Sequence, residues 1–329
     1  MKLAFAYFQE SHHALKNYAL QVKADYAVAN VPKKKDLPEF LEPWDYVSLF
    51  MLKKRFEEYG ITLSVIEGPT PMERIKLGLK GRDEEIAHFL EMLKNLSRLG
   101  IDTVCYNWMP VFGWFRSHRR LESRGGAHVT GFHYEELRNA GSIEHLGTIS
   151  QERLWETLEY FLKQVLPTAE QYGIRLALHP DDPPVSELAG ISRILTSADA
   201  MEQAIRLVPS PCNGITFCQG CFATMGEDIL KTIERFAKMN RIFFVHFRDV
   251  RGDRFCFEET FHDDGKTDMV KAMSSLVKNG YDGVIRPDHV PDMYGEDGTS
   301  PGYGILGNIY AAGYLNGLLE AAEKAENIK

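Results

Sequence analysis

Four residues with metal-binding side chains occupy the same place in successive stretches of this sequence. His179 closes RLALH, Cys218 closes GITFC, His246 falls near the end of IFFVHFR, and Asp288 follows GVIR in the segment RPDH. The preceding runs are short, apolar and bounded by turn residues, which is how buried strands read. Separations of 39, 28 and 42 residues each match about one strand with its returning helix. Two imidazoles, a thiolate and a carboxylate suit a borderline divalent ion such as Mn2+, Fe2+, Co2+ or Zn2+, with positions left for a chelating substrate. Singly, each residue has a plainer explanation: a hydrogen-bonded His, a small core Cys, an Asp capping a helix. Their shared position at strand ends is what favours a metal centre. Cys218 and Cys221 also form a CxxC, but neither a second pair nor a thioredoxin-like context accompanies it.

Groups able to move protons or hold an anion lie close by in sequence. His289 adjoins Asp288, and Tyr303 sits in TSPGYGILG before the last helical stretch. A tyrosine beside a cation can have its pKa depressed enough to act as base or acid. Arg116, Arg248 and Arg286 fall in rim segments and are candidates for a bidentate grip on a carboxylate. His262, in the loop after VHFRD, is a further candidate substrate contact.

Bringing such residues to one rim requires an architecture whose strands all point the same way. Candidate strands run over 2–8, 26–31, 63–67, 103–107, 175–179, 214–218, 242–248 and 283–286, with helices near 11–22, 45–59, 84–99, 150–172, 197–207, 226–238, 267–279 and 305–325. Eight strands, each followed by a helix, predict a (β/α)8 TIM barrel as a single domain over 1–329. An open doubly wound sheet is the rival, and its Gly-rich phosphate loop after the first strand is missing. Two stretches, 108–149 and 249–266, are too long for simple connections and read as βα loops, which in this fold lie on the catalytic face.

Composition narrows the function. The 329 residues are 44% hydrophobic and 26% charged with a net charge of −8, and the pI is near 5.8, so a nucleic-acid partner is not expected. Five cysteines are an odd number in a chain too large to need disulfides. No apolar run of about 18 residues is present to span a membrane, and MKLAFAYFQESHH lacks the apolar region and cleavage site of a secretory signal. A cytoplasmic location is expected. Barrels with an exposed helical ring often pair, which leaves a homodimer open.

The segments LALHPDDPP, FCQG, VHFRD, RPDH and PGYG, in that order, closely resemble the mannonate dehydratase family, as does CYNWMPVFGWFR. The resemblance runs from about residue 60 to the end. It implies a xylose-isomerase-like barrel holding Mn2+ or Fe2+, which converts D-mannonate to 2-keto-3-deoxy-D-gluconate and water. By motif it implies metal ligation by His179, Cys218, His246 and Asp288, proton transfer by His289 and Tyr303, and substrate contacts by Arg116 and Arg286. The chain departs from the family early. An Arg-Trp-aromatic-Gly opening is replaced by Ala6-Tyr7-Phe8-Gln9, a His-His pair by Ala29-Asn30-Val31-Pro32, and an Asp in the fourth βα loop by His118.

The implied chemistry begins with loss of the C2 proton, with the metal chelating the C1 carboxylate and C2 hydroxyl. Tyr303 is the expected base and His289 the acid that protonates the departing C3 hydroxyl, although the two roles are interchangeable at this stage. A metal-dependent sugar isomerase or epimerase would share the proton abstraction, and a sugar-acid-binding barrel without turnover would share the pocket.

Overall fold

The strand–helix alternation closes on itself in the computed structural model, which describes residues 1–8, 14–137, 139–143 and 147–327. In chain order the strands begin with β1 (Lys2–Tyr7), β2 (Tyr26–Ala29), β3 (Thr62–Glu67), β4 (Thr103–Asn107), β5 (His118–Glu122), β6 (His128–His133) and β7 (Arg175–His179). They continue with β8 (Glu187–Leu188), β9 (Ile191–Ser192), β10 (Asn213–Cys218), β11 (Ile242–His246), β12 (Val250–Gly252), β13 (Cys256–Glu259) and β14 (Val284–Arg286). Eight form a closed barrel in the order β1–β14–β11–β10–β7–β4–β3–β2, with every neighbouring pair parallel. These are the eight strands that the sequence predicts, with ends shifted by at most two residues.

The parallel order accounts for the continuous apolar runs, because both faces of each strand are covered. Ala4, Val28, Val65, Ala177, Phe244 and Val284 belong to one buried cluster, while Phe5, Leu63, Val104, Leu176 and Phe217 join a larger one with helix residues such as Phe89, Phe161 and Phe236. Adjacent residues thus serve different layers, as strand alternation requires. The helix Gln151–Tyr172 shows its punctuation plainly: the Ser150 side chain accepts the Arg153 amide, and Gly173 ends the helix at φ 66°. No helix among the described residues is long and apolar enough to cross a membrane.

Three local differences from the sequence reading have identifiable causes. The helix expected over 226–238 is shortened to Ile229–Lys238, capped by Asp228, and an unexpected helix, Gln219–Met225, precedes it and ends where Gly226 turns to φ 85°. The strand expected over 242–248 stops at His246, so Arg248 leaves the ladder and turns into the site. Of the helix expected over 11–22, residues 11–13 lie outside the described residues, as does Gln9. The rest is one turn, Lys16–Ala19, continued by a 3-10 turn to Val22.

The two long excursions meet in one antiparallel sheet of order β12–β13–β6–β5. Phe132 stands opposite Phe257 with ring centroids 5.8 Å apart, and Phe115 packs edge-on against Phe132. That apolar face lets the sheet lie over the barrel mouth, with Glu259 at the end of β13 and Arg116 just before β5. The sequence HRRLE of β5 shows no alternation because it is an exposed, charged edge strand.

Candidate metal centre and proton-transfer site

Barrel register sets the candidate ligands at one level. Cys218 and His246 are Cα partners on β10 and β11, His246 is paired in turn with Arg286 on β14, and His179 ends β7 opposite Asn107. His179 Nε2 lies 3.2 Å from His246 Nδ1. His246 Nδ1 is 3.6 Å from Asp288 Oδ2, and Cys218 Sγ is 3.7 Å from the same oxygen. Donor atoms of His179, Cys218 and His246 all fall within 4.8 Å of one another. Ligands sharing one ion through bonds of about 2.0–2.3 Å need separations of this order. Asp288 reaches its position at φ 66°, a conformation that costs a non-glycine residue about 1–3 kcal/mol and persists where surroundings dictate it.

The electrostatics of the four favour a cation between them. Burial raises the Cys218 thiol, but the Cys221 hydrogen bond, the Arg248 charge and His179 bring it well below its usual value. Burial also opposes ionisation of Asp288, yet His289, Arg286, His246 and Arg248 hold it well below the carboxylate range. His179 is lowered by burial and raised further by the Cys218 thiolate and by Asp288, ending at about 9. These directions favour positive charge beside a thiolate and a carboxylate, the electrostatic setting of a cation site. His179 donates through Nδ1 to the Pro180 carbonyl at 2.6 Å, which fixes the ring with Nε2 toward the other donors. The donor set fits a borderline divalent metal.

Around these donors runs a buried network of arginines and carboxylates. Arg248 donates to Asp288 (2.7 Å), Glu259 (2.9 Å) and Asp182 (2.7 Å). Arg116 grips both oxygens of Asp182, at 2.6 and 2.9 Å, and reaches Glu259 through Nε at 3.2 Å. His262 Nε2 bonds the Pro287 carbonyl at 3.0 Å, steadying the backbone before Asp288. Arg116, Arg248 and His262, expected as substrate contacts, are buried beside the cavity rather than lining it; the two arginines pair with carboxylates and His262 Nε2 with a backbone carbonyl. Arg286 does line the cavity. Its Nε and Nη2 bind Glu67 at 3.1 and 2.9 Å, while Nη1 lies 2.8 Å from Asp288 Oδ1 without hydrogen-bond alignment.

The proton-transfer candidates meet on one side of the mouth. His289 Nδ1 lies 3.0 Å from Glu259 Oε1, and Tyr303 meets the His289 ring edge-on with centroids 5.4 Å apart. Trp114 packs against His289 at 4.8 Å. Burial opposes the Glu259 charge, but Arg248, Arg116 and His289 bring its carboxyl to about 2. Burial drives the Tyr303 phenol well above its ordinary value, outweighing Arg286. The depressed tyrosine expected from the sequence is thus not a property of the ion-free chain. His179, His246, Arg286, Asp288, His289 and Tyr303 line a cavity of about 110 Å³, with Cys218 buried beneath it.

Sequence reasoning missed Glu67, Asp182 and Glu259. Glu67 ends β3 and was within reach of the strand-end rule that found the histidines. Asp182 lies in the quoted HPDDPP run. Glu259 carries no sequence signal, because its place depends on two distant excursions pairing.

Comparison with known proteins gives a consistent result. The family model for D-mannonate dehydratase matches residues 1–144 and 135–329. A mannonate dehydratase of Streptococcus uberis is 36% identical over 310 residues, covering 86% of this chain and 88% of that protein. One from Thermotoga maritima is 34% identical over 360 residues, covering 98% of each. The crystal structure of mannonate dehydratase from Streptococcus suis superposes with a TM-score of 0.90 at 35% identity, covering 99% of this chain and 95% of that one. A D-tagatose 3-epimerase-like protein, at 15% identity and a TM-score of 0.62, shares the fold.

Proposed function

The chain belongs to the D-mannonate dehydratase family, and from that premise we propose that it removes water from D-mannonate to give 2-keto-3-deoxy-D-gluconate. In this reading residues 1–329 act as one barrel unit on a small sugar acid, in a cytoplasm that suits its free cysteines. A divalent ion of the Mn2+ or Fe2+ kind, held by His179, Cys218, His246 and Asp288, supplies when bound a Lewis acid for the carboxylate and C2 hydroxyl oxygens.

The chain's own residues handle the protons. The Glu259 carboxylate accepts the His289 Nδ1 proton, so Nε2 presents its lone pair as the base that takes the C2 proton. Tyr303, which burial keeps protonated, delivers its proton to the C3 oxygen, which leaves as water. This order reverses the one expected from sequence, because Glu259 fixes the imidazole tautomer and burial opposes ionisation of the phenol. The enol then gives up its C2 hydroxyl proton and gains one at C3, leaving the keto acid. Arg286, which lines the cavity, is the guanidinium placed to meet the substrate carboxylate.

The observation that carries the proposal is the convergence of His179, Cys218 and His246 within 4.8 Å, beside a histidine held by a carboxylate. The test is incubation of the Mn2+-loaded protein with a panel of sugar acids and free sugars. Keto-deoxy acid formation from D-mannonate is expected; mass-neutral conversion of a free sugar, or binding without turnover, would overturn the reading. Tyr303→Phe and His289→Asn should each lower kcat by about 10²–10⁴ with metal content unchanged. Near-normal turnover in both removes the assigned roles.

A further inference from the structure

The sheet over the barrel mouth has a second face, turned away from the network just described. In β6 the buried Phe132 pairs with Phe257, while its neighbour His133 pairs with Cys256. Successive side chains of a strand point to opposite faces, so His133 projects outward where Phe132 projects inward. On β5, His118 stands opposite Gly131, two residues from His133 and on the same outward side. Such diagonal neighbours lie within reach across an antiparallel pair. Tyr134–Glu136 then forms a 3-10 turn directly after β6, and that turn returns Glu136 over His133.

The three side chains meet at one carboxylate oxygen. His118 Nε2 is 2.9 Å from Glu136 Oε1, and His133 Nδ1 is 3.4 Å from the same atom. The imidazole centroids are 4.3 Å apart, with the rings tilted by 55°, and the three donor atoms lie within 4.8 Å of one another. An ordinary surface ion pair uses one imidazole and one carboxylate. A second imidazole on the same oxygen brings two like-charged rings together when both are protonated, and two lone-pair donors beside an anion when both are neutral. Two imidazole nitrogens and a carboxylate oxygen form a ligand set used for zinc, and bonds of about 2.0–2.2 Å place such donors roughly 3.4 Å apart in a tetrahedral shell. All three are partly exposed, which leaves coordination positions for water.

We propose that His118, His133 and Glu136 form a second divalent-metal site, separate from the barrel-mouth donors and taking a borderline ion of the Zn2+ class. It contains no sulfur, and its residues belong to the excursion between β4 and the helix Gln151–Tyr172. An ion there ties the start of β5 to the end of β6. That junction is already joined by the Ser117 hydroxyl, which accepts the His133 amide proton at 2.8 Å, and it lies two residues from Arg116. A bound ion therefore stiffens the strand pair that leads into the buried arginine network. The site does not depend on which reaction the mouth performs.

The test is a metal count on the tag-free, full-length protein by equilibrium dialysis against Zn2+, paired with a Co2+ titration followed by absorption. Wild type should bind two ions per chain. The His118→Ala/His133→Ala double variant should bind one and keep the thiolate-to-cobalt absorption that Cys218 supplies. Cys218→Ser should bind one and lack that absorption while retaining cobalt d–d bands. Because the outer-face side chains are partly exposed, the double variant should keep the wild-type circular dichroism spectrum. One ion in wild type, or two retained by the double variant, overturns the proposal.

Discussion

Two walls face each other across the barrel mouth, and they are built from different materials. The wall formed by the ends of β7, β10, β11 and β14 carries two imidazoles, a thiol, a carboxylate and a guanidinium, nearly all buried. The wall opposite, at the ends of β1 to β4, offers Phe8, Ala29, Glu67 and Asn107, of which Glu67 is already engaged with Arg286. Charge on the first wall is tolerable only because its members neutralise one another or a bound ion. The second wall, with fewer charges to balance, is freer to change. On the proposed mechanism the difference separates a wall that carries the reaction from one that shapes what fits against it.

The sharpest way to break that comparison is to remove a donor from the charged wall. Cys218→Ser keeps nearly the same volume but exchanges a thiolate, which the surrounding charges favour, for a hydroxyl that stays protonated. Loss of metal from the mouth and a fall in kcat of more than about a hundredfold are expected, since even supporting residues of metal sites are worth roughly 10–100-fold. Metal analysis and the keto-deoxy acid assay check both. Retention of metal with normal turnover would show that the donor wall is not where the ion binds.

A smaller effect is expected one layer out. Glu259 neutralises Arg116 and Arg248 and orients His289. Glu259→Gln leaves an acceptor near His289 but removes one of the carboxylates that two buried guanidinium groups share, so unfolding free energy should fall, by up to about 3–5 kcal/mol. In the same variant kcat should drop roughly 10–100-fold with KM and metal content nearly unchanged, a split that a purely structural role would not produce. The carboxyl is held at about 2 in the folded chain, against about 4.3 when unfolded. A depressed acid contributes stability that is complete above the unfolded value and is lost as pH falls toward the folded one. The difference in Tm between wild type and Glu259→Gln should therefore be full near neutrality and shrink between about pH 4.3 and 2. A difference that grows on acidification would contradict the pairing.

How much of this was legible in the sequence follows from the same contrast. The donor wall could be read because His179, Cys218, His246 and Asp288 are chemically distinctive and sit at the ends of strands whose apolar runs are unmistakable. The barrel could be read because parallel strands buried on both faces leave long hydrophobic signals. Glu259 could not be read, nor could the outward cluster of His118, His133 and Glu136. Both depend on the antiparallel sheet that two excursions build together, and β5 carries no alternation to announce it. For Arg116 and Arg248 the sequence shows the guanidinium groups without showing the buried carboxylates they pair with.

The smallest expected effect belongs to the opposite wall, and it is the one that sharpens the comparison. Phe8 meets Tyr303 edge-on with centroids 5.7 Å apart, and the Arg286 guanidinium lies 5.5 Å from the Phe8 ring centre. The ring therefore touches both a proton-transfer residue and the arginine facing the cavity without offering a donor or a charge. Phe8→Ala removes an aromatic contact worth about 0.5–1.5 kcal/mol, which corresponds to a loss in kcat/KM of a few-fold to roughly tenfold. Metal content should be unchanged, and the relative rates across a panel of sugar acids should shift, because the shape of the pocket changes while its chemistry does not. Loss of metal in Phe8→Ala, or a fall in kcat as deep as that of Tyr303→Phe, would mean that the two walls are not separable and that the first strand takes part in the reaction itself.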